Sequence, residues 1–186
     1  FKSIIKKVFV EIGEDVLRPL SRISRSFKGA VFAPSRNTSI AAALTSWLIM
    51  RELETPVIGN STWFNSQEFN IVNFNKREAY FFDENYINYQ IDSTHNFKQK
   101  YFETYNVPPS DAAYKGFELA LFLGNNLSKY GKYFNQALWN MEIQEGVFYP
   151  QFDYNNSYSN NFVPILKLNE FQLVPANFSF DKEKEE

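Results

Sequence analysis

The chain has no cysteine, one histidine and seven glycines in 186 residues. Without cysteine there is no disulfide framework, no thiolate metal site and no thiol nucleophile. The single His95 cannot build a histidine-rich metal cage, and its charged surroundings suit an ordinary surface or capping position. An average composition would supply about 13 glycines at this length. The seven present never give the spacing of a dinucleotide-binding fingerprint, and no Gly-Lys-Ser/Thr loop occurs. Gly59-Asn60-Ser61-Thr62-Trp63 lacks the second glycine of a nucleophile elbow. An excess of one charge is also lacking. The 19 basic and 21 acidic residues give a formal charge of −2, which argues against a general nucleic-acid binder. No apolar run approaches the roughly 20 residues of a membrane helix, since Ile40 to Met50 is interrupted by Thr45 and Ser46. Local carboxylate pairs such as Glu52 with Glu54 and Asp83 with Glu84 suit solvated turns and helix ends, and no Asp-x-Asp-x-Asp loop offers a cation site. The expectation is a non-enzymatic protein with no cofactor and no metal.

What is abundant is aromatic: 20 Phe, 11 Tyr and 3 Trp, which can supply a core without many aliphatic residues. The chain opens on Phe1 rather than Met, with no signal-peptide pattern in front, and reads as a piece of something longer. Lys7 to Ile12 has the β-branched and aromatic run of a buried strand, and Glu14 to Ser26 has apolar residues at helical spacing. Gly29 to Ala33 predicts a second strand. Pro34 to Asn37 forms a polar turn, and Thr38 to Leu53 a long helix. Pro56 to Gly59 and Glu78 to Phe82 predict two further strands. Strands alternating with helices imply an α/β fold, a parallel sheet with helices on both faces.

The pattern changes after residue 92. Ser93 or Thr94 is expected to cap a helix reaching Tyr105, and Ser110 a second one reaching Tyr130, where Gly131 stops it. Ala112, Phe117, Ala120, Leu121 and Leu127 predict the buried face of that second helix. A short helix is expected near Phe134 to Met141. Val147 to Asp153 and Val163 to Leu168 read as a hairpin around the Asn- and Ser-rich loop Tyr154 to Asn161. Asp181 to Glu186 reads as a disordered tail.

In open α/β sheets ligands bind beyond the carboxyl ends of parallel strands. Two polar loops fall there: Ser35-Arg36-Asn37-Thr38 and Asn60-Ser61-Thr62-Trp63. The first sits at a helix N-terminus, whose exposed N–H groups favour anions. Each loop has two readings: caps and packing alone, or those roles with ligand contact in addition.

The runs VFAPSRNTSIAAALTSWL, TPVIGNSTWFN, EAYFFDENYINYQ and FKQKYFETYNVPPSDAAYKGFELALFLGNNLSKYG resemble the type I periplasmic-binding fold of the branched-chain amino-acid receptor family, from about Lys7 to Asn177. The most specific part is F-x-x-x-Y-x-x-x-Y followed by Pro-Pro-Ser-Asp-Ala-Ala-Tyr-x-Gly-Phe. The resemblance implies two α/β lobes enclosing a small polar molecule, an amino acid or related compound, with this chain supplying the carboxyl-terminal half. Residues 1–92 would be a second-lobe unit. Residues 93–180 would be the return helices of the first lobe and the C-terminal crossover strands. It carries over Ser35 to Thr38, Asn60 to Trp63 and Tyr114 as ligand-binding positions, with Trp63 and Tyr114 as flat walls. Asn60 to Trp63 stands where that family's amino-acid receptors have an acidic residue. The resemblance also implies a periplasmic or cell-envelope location, free or as a membrane-anchored lipoprotein, with a membrane permease as partner. Relatives that have lost transport imply the alternative of a cell-wall or outer-membrane-associated scaffold or regulatory module.

Overall fold

The computed structural model describes residues 28–67 and 69–179. The strand expected at Lys7 to Ile12, the helix at Glu14 to Ser26 and the tail at Asp181 to Glu186 lie outside the described residues. The chain divides into two compact units, Phe1–Asp83 with Ile165–Ala176 and Glu84–Pro164 with Asn177–Glu186. Ile165–Ala176 joins the first unit because its strands pair there.

In the first unit, β1 (Val31–Phe32), β2 (Val57–Asn60) and β3 (Ala79–Phe82) run parallel as neighbours, with α1 (Thr38–Met50) and α2 (Ile71–Asn75) between them in sequence. The α/β class is as expected, but the sheet is mixed. Farther along the chain, the strands over Ile165–Asn169 and Gln172–Pro175 add antiparallel to β3 and to each other. Aromatic rings fill the core. Phe69 stacks on Phe74 at 4.7 Å, Phe64 meets Phe81 edge-on at 4.8 Å, and Trp63 lies 6.2 Å from both Phe74 and Phe81. Such pairs contribute about 0.5–1.5 kcal/mol each beyond the area they bury.

Helix α1 stops at Met50, short of the expected Leu53. Glu52 takes a left-handed φ of 54°, the Glu52 N–H donates to the Ile49 carbonyl, and the Leu53 N–H donates to that of Leu48 (both 3.0 Å). That is a Schellman ending with glutamate where glycine is usual. Arg77 then anchors the strand entry, donating from Nη1 to the Leu53 carbonyl at 3.2 Å and from Nε to that of Asn73 at 3.1 Å.

In the second unit, α3 (Asp92–Tyr105) carries no side-chain cap. The two expected cap residues are engaged elsewhere: Thr94 Oγ1 donates to the Asn88 carbonyl at 2.6 Å, and Ser93 Oγ to that of Val147 at 3.4 Å. Helix α4 (Asp111–Tyr130) has the expected ends, a Ser110 Oγ cap on the Ala113 N–H and Gly131 at φ 52°. Its buried face is not the expected one. Tyr114, Glu118, Phe122 and Asn126 are buried, whereas Phe117 and Leu127 are 40% and 49% exposed. The true face is one stripe of i, i+4 neighbours that carries a carboxylate and, two turns on, an amide, and both polar groups are satisfied there. Glu118 Oε1 accepts from the Val147 N–H (2.7 Å), and Oε2 from those of Phe148 (2.6 Å) and Tyr149 (3.3 Å).

Helix α5 (Phe134–Trp139) follows, then β4 (Gln144–Glu145) and β5 (Gln151–Phe152), an antiparallel pair. The hairpin expected between Val147 to Asp153 and Val163 to Leu168 does not form. The first segment pairs through β5 with β4. The second becomes β6 (Ile165–Asn169), which turns directly into β7 (Gln172–Pro175). The loop Tyr154 to Asn161 closes on itself, with Asn160 Oδ1 accepting from the Asp153 and Phe162 N–H groups.

Candidate functional site

Both predicted loops of the first unit lie at the carboxyl ends of adjacent parallel strands, β1 and β2. The ladder runs past Phe32 through a bond from the Ala33 N–H to the Ile58 carbonyl (2.9 Å). The first loop then turns into α1. Ser35 Oγ accepts from the Asn37 N–H at 3.1 Å, and Asn37 Oδ1 caps the helix by accepting from the Ser39 N–H at 3.0 Å. Thr38 is the first helical residue, and no acidic side chain occupies the first turn. Arg36 is exposed beside it. The second loop winds into a 3-10 turn over Ser61–Asn65, capped by Asn60 Oδ1 on the Thr62 N–H at 3.0 Å.

The two loops are tied together. Trp63 Nε1 donates to the Ser35 carbonyl at 2.7 Å across 28 residues of sequence. The indole has no exposed surface. It packs on Gly59, where a Cβ would fall within 2.7 Å of the indole Cε3, so the strand must carry glycine there. Trp63 is therefore the pin that sets the spacing of the loops, and the surface they offer is the polar one of Ser35 to Thr38 and Ser61. Thr62 Oγ1 is buried with no hydrogen-bond partner among the described residues.

Tyr114 belongs to the second unit. It is 3% exposed and meets Tyr89 and Phe148 edge-on, at 5.6 and 5.3 Å. Burial, and then the nearby Asp111 charge, hold its phenol above the ordinary tyrosine range. One side of it lines a cavity of about 330 Å³ whose residues all come from Glu84 to Val163. The loops were legible from strand and turn patterns. The Trp63 pin and the cavity were not, because both depend on which residues meet in three dimensions.

Among the described residues no group of three His, Cys, Asp or Glu is placed to hold a metal, and no helix is long and apolar enough to cross a membrane. No family model matches the chain, and no curated protein matches it. Among solved structures, it is similar to an ABC transporter substrate-binding protein from Desulfitobacterium hafniense in complex with Leu, at 18% identity over 80% of this chain and 43% of that one, with a TM-score of 0.44. A second structure of an ABC transporter substrate-binding protein from the same organism gives 18% identity, the same coverage and a TM-score of 0.45. The chain spans less than half the length of these solved chains.

Proposed function

We propose that the chain is a non-enzymatic ligand-binding domain of the solute-receptor type, acting in the periplasm or cell envelope with a membrane permease as partner. Its ligand is a small polar molecule carrying a carboxylate, such as an amino acid or a related compound. The observation that carries the reading is the Trp63 to Ser35 bond, which fixes two polar loops side by side at the carboxyl ends of parallel strands. A carboxylate would take N–H groups of the first turn of α1 other than that of Ser39, which Asn37 caps, with Arg36 beside it and Thr38 and Ser61 supplying hydroxyls. Asn60 is committed to its cap, so a ligand ammonium would find no acidic partner in the Asn60 to Trp63 loop. That favours a carboxylate with a neutral polar substituent over a free α-amino acid.

Isothermal titration of the full chain against amino acids, short peptides, hydroxy acids and muropeptides tests this. Binding of a carboxylate ligand should weaken about tenfold in Arg36→Glu, and esterifying the ligand should abolish it. Failure of every carboxylate in the panel to bind overturns the reading. A second reading, a scaffold for a cell-wall or outer-membrane partner, is favoured by exposed rings such as Tyr105 and Tyr158, 61% and 67% accessible. Recovery of such a partner by a chain that binds no small molecule would select it.

A further inference from the structure

The second unit holds a site that the loops of the first do not explain. Its cavity of about 330 Å³ is at the lower end of the range for small-molecule pockets. The inner wall is aromatic and buried: Tyr114 at 3% and Phe148 at 1% exposure, joined by Phe152 and Phe162. Leu119 and Val163, 50% and 40% exposed, stand at its mouth. The aromatic wall is not collapsed on itself, because Tyr114 and Phe148 are held edge-on at 87° and Phe148 is fixed through its N–H by Glu118. No hydrogen bond joins the Tyr114 hydroxyl to another described residue.

The charges around this cavity differ in how far they are committed. Glu118 lines it, yet both its oxygens accept from backbone N–H groups, which absorb its charge. Lys115 lines it on the exposed side, and its ammonium donates to the neutral amide of Asn85 at 2.7 Å. Glu84 also lies on the lining and has interactions of its own. A ring that entered would meet ring faces and edges, and an acidic group attached to it would reach the Lys115 ammonium at the margin.

We propose that this cavity binds a single-ring aromatic carboxylate, the ring against Tyr114 and Phe148 and the carboxylate on Lys115. The lining falls wholly in the second unit and the loop pair in the first, so either proposal can fail alone. The probes are 3-phenylpropionate, benzyl alcohol and phenethylamine, titrated calorimetrically into the full chain. The acid should bind at least about tenfold tighter than the amine, with the alcohol between them. Lys115→Met should bring the acid down to the alcohol's affinity while leaving the alcohol unchanged. Leu119→Trp, at an exposed position that does not threaten the fold, should fill the mouth and weaken all three. Binding of the amine as tightly as the acid overturns the proposal by assigning the margin to Glu84. Equal binding to the Leu119→Trp chain, or no binding by any probe, overturns it as well.

Discussion

Asn126 and Gln144 exchange their side-chain amides: Asn126 Nδ2 donates to Gln144 Oε1 at 2.9 Å, and Gln144 Nε2 donates back to Asn126 Oδ1 at 3.0 Å. Asn126 also donates to the Phe122 carbonyl one turn earlier at 2.8 Å, so this 2% exposed amide is satisfied on both ends. The pair fastens α4 to β4. Alanine at either position should cost about 1–3 kcal/mol, since each leaves the other amide without its partner. The double variant should lose less than the sum by about 1 kcal/mol, read from urea unfolding midpoints. Strict additivity would show that the two amides act separately.

Gly59→Ala should destabilise the first unit by about 1–3 kcal/mol through the clash with Trp63. Trp63→Phe removes the benzo edge that the new methyl would strike, but also the N–H bonded to Ser35. The combined variant should therefore lose less than the two single losses added together. Equal and additive losses in thermal melts would mean that strand and indole adjust independently.

The β6–β7 connection places Glu170 at φ 47° and Phe171 at φ 66°, both left-handed. A two-residue hairpin turn of this kind favours Asn-Gly. Phe171 is 54% exposed, and its N–H is held by Asn75 Oδ1 at 3.0 Å, which locks the turn despite its residues. Replacing Glu170-Phe171 by Asn-Gly should raise stability by about 1 kcal/mol or more, measured as an increased urea midpoint at unchanged slope. No gain would mean that Phe171 packs for more than its exposure suggests.

Burial raises the phenol of Tyr154, and burial with the Asp111 charge raises that of Tyr114. The folded chain thus favours both neutral phenols more than the unfolded chain does. This contribution is complete below the ordinary tyrosine value of about 10 and is lost as pH rises through the higher folded values. Stability should fall with a steeper slope above pH 10 than Tyr154→Phe shows, while the two chains keep a constant offset below pH 9. Urea midpoints at pH 8, 9, 10 and 11 read this directly, and parallel slopes across the range would contradict it.

The same turn explains one failure of sequence reading. Glu170-Phe171 carries no turn signal, whereas the Asn- and Ser-rich stretch at Tyr154 to Asn161 carries many. The expected hairpin was centred on the wrong loop because tertiary support from Asn75 replaces local propensity at the real one. Helix α4 shows the complementary failure. Its ends were plain from Ser110 and Gly131, but a hydrophobicity pattern cannot foresee that Glu118 and Asn126 would be inward, since their burial depends on donors and acceptors at 144 and 147–149. Strands β1, β2 and β3 and the loops after β1 and β2 were readable because short apolar runs, Asn caps and Pro or Gly punctuation are all local. The Thr38 helix was readable for the same reason, except for an ending built on a left-handed glutamate.

Glu118 lets a helix side chain stand in for a neighbouring strand. The segment Val147 to Tyr149 lies between the two-residue strands β4 and β5, and its consecutive N–H groups are met by one carboxylate about 30 residues away in sequence. Gly146 permits this approach, since a Cβ there would lie 2.7 Å from Glu118 Oε1 and would also strike the Tyr149 carbonyl. The second unit can therefore hold a bent core segment in place with Phe148 buried, outside the short pair of β4 and β5. At this segment one ionisable side chain meets backbone N–H groups that other folds satisfy with a ladder of backbone bonds.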